Sequence, residues 1–279
     1  MSSTGLEGRG VIVTGAAAGI GRAAALRFAE EGSKVLVADL NKDGAEQTVK
    51  AIESAGGTAR AVAGDLSDQR VVDELVVTAL EAFGGLDVLV NNAGITDSMS
   101  ALADTDDAEW ERVIRINLTA PFLLTRAALP HMLTAGHGAI VFTASEAALR
   151  GSAAGAAYTA SKHGIVGLVK SLSVMYRRQG IRTNAIAPGG TQTNILANSM
   201  ADDPEKLTAL ASVLGGVPAQ SDTGEAPHGP TVLRELLHAN PGKRSTPEEQ
   251  AAAIVFLASD AASNINGAVL PVDDGWSAV

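Results

Sequence analysis

The stretch GVIVTGAAAGIGRAAALRFAEEG, Gly10 to Gly32, decides the fold. Strand-forming residues Val11 to Thr14 run straight into Gly15, Gly19 and Gly21, and an alanine-rich helical segment follows. A strand that passes through glycines into a helix gathers free backbone N–H groups and the positive end of a helix dipole at one point. Glycine there lets the backbone approach a pyrophosphate closely. The spacing is G-x-x-x-G-x-G rather than G-x-G-x-x-G, so these residues read either as a phosphate cradle, with Ala18 and Ile20 in the same turn, or as a small-residue helix packed tightly on a sheet.

Working outward, the next apolar run, KVLVAD, ends at Asp39. A carboxylate at that position accepts hydrogen bonds from ribose hydroxyls and repels a 2′-phosphate; otherwise it is an exposed strand-end acid. Leu40 follows it and Ala18 precedes the second glycine, so no cation stands ready for that phosphate, and Arg22 reads as helix surface. The expected cofactor is NAD rather than NADP.

The same rhythm continues along the chain. Strands are expected at Gly10–Thr14, Lys34–Asp39, Ala59–Gly64, Leu86–Asn91, Ala139–Thr143, Arg182–Ile186 and Ala268–Val272. Helices are expected near 19–31, 42–55, 68–83, 106–134, 155–179 and 247–258. Near-continuous apolar strands separated by helix-length segments mean βαβ units with both sheet faces covered. The expected architecture is α/β: one Rossmann-like domain over residues 1–279, a doubly wound parallel sheet of about seven strands flanked by helices. From about 193 to 243 the rhythm stops. Two short helical candidates, 204–214 and 231–239, flank GGVPAQSDTGEAPHGP. So long a connection reads as a lid over a substrate site or as a passive surface insertion, and its place after the sixth strand favours the lid.

Composition narrows the partners. Of 279 residues 46% are hydrophobic but only 3% aromatic, so the core is built from Ala, Val, Leu and Ile. A formal net charge of -10 argues against nucleic acid or an anionic membrane. Absence of cysteine removes disulfides and thiol catalysis. The opening MSSTGLEGRG has no apolar run, and a cytoplasmic location is expected. His131, His137, His163, His228 and His238 show no metal-ligand spacing, so no metal is expected. Trp110 and Tyr176 read as packing residues.

The segment YTASK places Tyr158 and Lys162 four residues apart, on one helical face. Alone, the pair reads equally as an exposed polar pair. With the glycine turn, it joins an ordered set: TGAAAGIG at 14–21, Asp39, GDLSD at 64–68, NNAG at 91–94, Asn117 in RINL, Ser145, YTASK and PGGTQT at 188–193. From about Gly8 to Trp276 the chain resembles a classical short-chain dehydrogenase/reductase. That resemblance implies a tetrad of Asn117, Ser145, Tyr158 and Lys162, with Asn117 holding a water that relays protons from Lys162. It implies that Asp65 and Leu66 hold an adenine, and that Asn91, Ala93 and Gly94 line the cofactor cleft. Pro188, Gly189, Thr191 and Thr193 then border the nicotinamide, although the Gly190–Thr191 pair departs from the family's bulkier residues.

Hydride transfer between an alcohol and a nicotinamide needs a proton acceptor or donor at the hydroxyl. A free tyrosine, with a pKa of about 10, is a poor base near neutrality, and a neighbouring ammonium and a positive nicotinamide are expected to lower it. Ser145 is placed to hold the substrate oxygen. Glu146 points into the cleft or is solvated; the sequence does not choose. Ala147, Ala148, Leu149, Ala153, Ala154 and Ile195 form a small apolar candidate wall, which suits a hydrophobic, cyclic or steroid-like secondary alcohol or its ketone. The rival within the class is a 3-oxoacyl-carrier-protein reductase, for which 125–138 offers only Arg126 as a basic residue. The rival outside it is an NAD-sensing protein without catalysis. Apolar excess on the two long helices and in the tail points to an oligomer, and the resemblance implies a homotetramer.

Overall fold

In the computed structural model, residues 4–151, 153–193, 195, 199 and 243–278 are described. Strands β1 (Gly10–Thr14), β2 (Lys34–Asp39), β3 (Thr58–Ala63), β4 (Val88–Asn91), β5 (Gly138–Thr143), β6 (Ile181–Pro188) and β7 (Val269–Val272) form one seven-stranded sheet in the order β3-β2-β1-β4-β5-β6-β7, every neighbouring pair parallel. The helices are α1 (Gly19–Glu30), α2 (Lys42–Ser54), α3 (Gln69–Phe83), α4 (Asp107–Ile114), α5 (Ala120–Ala135), α6 (Ala156–Met175) and α7 (Pro247–Ala258). The chain winds outward from β1 to β3, then returns to β4 on the other side of β1. This reversal opens a crevice at the carboxyl ends of β1 and β4, where doubly wound sheets bind ligands.

Strand alternation sorts the core into two layers. Val11, Val13, Val35 and Val37 face Ala24, Phe28 and Ile254 of α1 and α7. Ile12, Leu36, Leu89 and Phe142 face Leu75, Leu124, Met132 and Ile165 of α3, α5 and α6. Successive residues of a strand point to opposite faces, so an unbroken apolar run is what a sheet covered on both sides requires.

The expected elements stand, with local differences. The segment expected as one helix over 106–134 is α4 and α5 joined through a π-helical turn, Arg115–Thr119, that carries Asn117. Strand β4 starts at Val88 rather than Leu86; just before it the Asp87 carboxylate accepts from Arg9 and from the Gly10 N–H. Strand β6 extends to Pro188, and α6 ends at Met175, before a 3₁₀ turn closed by left-handed Gly180. Tyr176 is partly buried against the second core layer as expected, but Trp110 is 41% exposed rather than packed. The candidates 204–214 and 231–239, and nearly all of the expected lid, lie outside the described residues. Among the described residues no helix is long and apolar enough to cross a membrane.

Arg182 on β6 ties the far end of α7 to the sheet. Its guanidinium donates to the carbonyls of Leu257, Ala258 and Ser259 at 2.7, 3.0 and 3.1 Å, which satisfies the free acceptors of a helix C-terminus. Arg182→Met strands those carbonyls and is expected to lower the unfolding free energy by about 2–4 kcal/mol in a denaturant titration. A loss below about 0.5 kcal/mol would show that water replaces the guanidinium without cost.

Candidate active site

The glycine turn between β1 and α1 is built for close approach. Gly15 has φ +64°, and a Cβ there would lie 2.9 Å from Cα of Ala93; one on Gly21 would lie 2.2 Å from the Gly15 carbonyl oxygen. No side chain other than hydrogen fits either position. Gly19, at φ +53°, faces the methyl of Thr193, so the segment after β6 reaches back to the turn. Side chains cap α2, α3, α4 and α7, through Asn41, Asp68, Asp106 and Thr246. The N-cap of α1 is Ala18, which offers no acceptor, and its first turn has no acid. The N–H groups and dipole of that terminus suit a phosphate.

Asp39 ends β2 beside this turn. Its carboxylate accepts from the backbone N–H of Ala17 and of Asn41, both at 2.9 Å, which fixes it at the crevice, while Leu40 is 76% exposed. Thr14, Leu66, Asn91, Ala93 and Leu124 line a small cavity under the crevice, and the buried Asn91 Oδ1 has no hydrogen-bond partner among the described residues. Asp65, expected to hold an adenine, is engaged with Ser67 and, at 3.1 Å, with Arg115; burial works against its charge, but these bonds outweigh it and hold its pKa below the usual value.

The catalytic candidates converge at the carboxyl end of β5. Tyr158 lies in the first turn of α6 and is hydrogen-bonded to Ser145, the residue two beyond β5. Lys162, one turn on and 4% exposed, donates to the Thr143 carbonyl at 2.8 Å, and its Nζ lies 5.4 Å from the Tyr158 ring centroid. Gly94 packs against both remaining partners: a Cβ there would lie 3.2 Å from Asn117 Oδ1 and 3.5 Å from Lys162 Nζ. Asn117 accepts from the Ile95 N–H and donates to the Ile95 carbonyl, each at 2.8 Å, and to Ser161 Oγ at 3.2 Å. Both N–H groups of its amide are thus used on protein partners. Its side chain braces the loop after β4 against α6, and only the second lone pair of Oδ1 is left for a water.

Burial pushes the Tyr158 phenol up to about 12; the Ser145 hydrogen bond offsets this in part and the Asp97 carboxylate adds to it. Burial also brings the Lys162 ammonium down to about 8. The protein's own groups therefore favour the protonated phenol, because dehydration penalises phenolate and ammonium together; the expected lowering also draws on a positive nicotinamide, which is not among these groups.

Other candidates sort clearly. Glu146 is 1% exposed and ion-paired with Arg150, so the solvated alternative fails; burial raises its carboxyl, Arg150 opposes this and Asp273 adds to it. Ala147 and Ala148 are buried, whereas Leu149, Ala153, Ala154 and Ile195 keep exposed surface. The His163 ring meets the Thr159 carbonyl on its own helix. Among the described residues no cluster of three or more His, Cys, Asp or Glu is placed to hold a metal. Three participants escaped the sequence reading: Asp97, the Thr143 carbonyl, and Asn92. Asn92 is bonded to Thr14 on β1 and Thr143 on β5, and pins three strand ends together. Of these only Asn92 left a signal, as the second residue of NNAG.

Comparisons with known proteins agree with this geometry. A family profile described as short chain dehydrogenase matches residues 9–204, and one described as Enoyl-(Acyl carrier protein) reductase matches 212–277. The chain is 38% identical to 3beta-hydroxysteroid dehydrogenase 2 of Eggerthella lenta, over 98% of this chain and 96% of the relative. It is 40% identical to the cis-4-hydroxycyclohexanecarboxylate dehydrogenase of Sinomonas cyclohexanicum, over 97% of each. A crystal structure of a Beutenbergia cavernae protein, provisionally assigned as an NAD(P)-dependent gluconate 5-dehydrogenase with NADP bound at low occupancy, superposes with TM-score 0.77 at 36% identity, covering 98% of each chain. A crevice at the β1–β4 reversal, a glycine turn with no tolerance for side chains and a Ser–Tyr–Lys cluster at the end of β5 thus coincide with matches along the whole chain, which belongs to the short-chain dehydrogenase/reductase family of oxidoreductases.

Proposed function

We propose that this chain interconverts a secondary alcohol and a ketone by hydride transfer with NAD, on a hydrophobic, cyclic or steroid-like substrate, with Tyr158 as general acid/base. The observation that carries the proposal is the convergence of Tyr158, Ser145 and buried Lys162 at the end of β5. Gly15, Ala18, Gly19, Ile20, Gly21, Asp39 and Leu40 would hold the adenosine side of the dinucleotide, and Pro188, Gly189, Thr191 and Thr193 its nicotinamide side. When bound and oxidised, the dinucleotide supplies a hydride acceptor and a positive charge. Ser145 would hold the substrate oxygen beside the phenol. Lys162 spends one N–H on Thr143 and keeps two for the ribose and for Tyr158. Carrying the phenol from about 12 to near neutrality needs roughly 7 kcal/mol, which the buried ammonium does not supply alone.

Two relatives carry names of ring alcohols, a hydroxysteroid and a hydroxycyclohexane, which supports the substrate class. The Beutenbergia protein points toward a polar sugar acid and NADP. Asp39, held at the crevice with no cation at 18 or 40, favours NAD here. An acyl-carrier substrate finds less support: the chain is acidic, and Arg126 is already bonded to Gln69 and stacked on Phe122. A homotetramer is proposed from the exposed Phe122, Val174, Met175 and Phe256, and a cytoplasmic location remains part of the proposal.

With NAD and a panel of cyclic alcohols, followed at 340 nm, Tyr158→Phe is expected to lose at least ~10²-fold in kcat/KM while binding NAD within about threefold of the parent. Retained turnover across the pH range would overturn the general-base role, and turnover of sugars or polyols alone would overturn the substrate class. Asp39→Asn is expected to lower the NAD-to-NADP ratio of kcat/KM at least ~10-fold; a parent that prefers NADP would refute the cofactor assignment. The third expectation concerns stability. Burial lowers Lys162 from 10.5 to about 8, so the unfolded chain binds more protons between those pH values, and stability rises with pH across that window. The rise attributable to this lysine is about 3 kcal/mol, and Lys162→Met should remove it from denaturant titrations between pH 8 and 10. An identical slope in the variant would show that Lys162 is not buried as an ammonium.

A further inference from the structure

Asp97 is a buried carboxylate, 3% exposed, in the loop after β4, and no step derived above uses it. Helix α6 begins behind Gly155, whose lack of a side chain leaves it unable to cap its own helix. Asp97 takes that place from 58 residues away: Oδ1 accepts from the Gly155 N–H at 3.1 Å, and Oδ2 accepts from the Tyr158 N–H at 2.9 Å. The two positions are fitted to each other, since a Cβ on residue 155 would lie 2.5 Å from Asp97 Oδ2. A third N–H, from Met99, reaches Oδ1 at 3.3 Å, with Met99 in the left-handed region at φ 57°. The loop itself is held at Ile95 by Asn117 and at Ser98 by Glu109.

We propose that Asp97 is a positioning residue for Tyr158: it caps the first turn of α6 in place of Gly155 and sets how readily the phenol gives up its proton. Capping fixes the backbone N–H of the catalytic residue itself, so the ring is aimed from its own main chain. The same carboxylate, bonded to the Tyr158 main chain, adds a negative charge that opposes phenolate formation. Its own surroundings are now complete: Glu109 of α4 repels it, Tyr158 faces it from α6, and beyond Tyr158 stand Lys162 and Ser145. Burial, with Glu109 adding to it, raises Asp97 above the usual carboxylate range, and the three N–H donors oppose that. Alanine or serine at 97 loses both functions, asparagine keeps the size and one acceptor but loses the charge, and glutamate keeps the charge but loses the fit.

The inference rests on Tyr158 being the acid/base, and the two fail differently: an active Tyr158→Phe chain sinks that reading, whereas the Asp97 variants decide only this one. Two measurements test it. In the free protein, amide hydrogen exchange of the peptide spanning 155–158 is expected to speed up at least ~10-fold in Asp97→Asn, with core strand peptides unchanged. In the pH profile of kcat/KM for alcohol oxidation, the midpoint of the acid limb is expected to move to lower pH by ~0.5 unit or more in Asp97→Asn, because removing an anion eases phenolate formation. In Asp97→Glu the midpoint should stay at the parent's value while the plateau falls. Unchanged exchange at 155–158 would overturn the cap. A lower plateau with an unmoved midpoint in Asp97→Asn would overturn the acidity role, as would a midpoint shifted in Asp97→Glu in the same direction. If Asp97→Asn does not fold, the glutamate variant alone decides, by midpoint and plateau.

Discussion

The constraint on which the site depends is the pairing of a partly buried phenol with a nearly enclosed ammonium one helical turn apart. Lys162 is nearly enclosed, and it donates to the last carbonyl of β5. A lysine removed from water tends to lose its proton, and a tyrosine removed from water tends to keep its own. The two therefore rest near neutrality, with the proton on the phenol. Near neutrality an ammonium at about 8 keeps most of its charge, and a second positive group entering the crevice would add to its pull on the phenol. Under the proposed function, catalysis and coenzyme occupancy would be coupled by electrostatics without a moving part.

Delivering that arrangement is the work of the sheet. The winding reversal at β1 and β4 opens the crevice, and Asn92 ties the ends of β1, β4 and β5 so that the groups on their loops keep a fixed spacing. Asn117 sits in a π-helical turn, and its amide clamps the Ile95 peptide from both sides while touching Ser161 on α6. A one-turn bulge re-aims a side chain that a regular helix would point elsewhere, which is the usual reason such turns persist at functional places. Loop, π turn and catalytic helix form one hydrogen-bonded bracket around Tyr158.

Much of this was legible in the chain itself. The strands are apolar runs with helix-length intervals, and periodicity reads those directly; the glycine turn and the Tyr–Lys spacing are local patterns too. What periodicity cannot read is polar pairing across long separations. Asp97 meets α6 from 58 residues away, and nothing in ITDSMS announces a cap. The π turn reads as plain helix because RINLT carries no glycine or proline to mark a break. Glu146 stays open between cleft and solvent in the sequence, because its ion pair with Arg150, four residues on, depends on the local fold. The Tyr–Lys spacing reveals a nearby charge but not how much water the fold removes around both groups, which works against phenolate.

The most direct measurement follows the phenol itself. The chain has two tyrosines, so a Tyr176→Phe background leaves Tyr158 as the single phenol whose ionisation changes the near-ultraviolet absorbance. Titrated without coenzyme, this protein should show no phenolate up to about pH 10; saturated with NAD, phenolate should appear several pH units lower. Phenolate present near neutrality in the free protein, or the same midpoint with and without NAD, would contradict the coupling of Tyr158 acidity to the charge of the bound coenzyme.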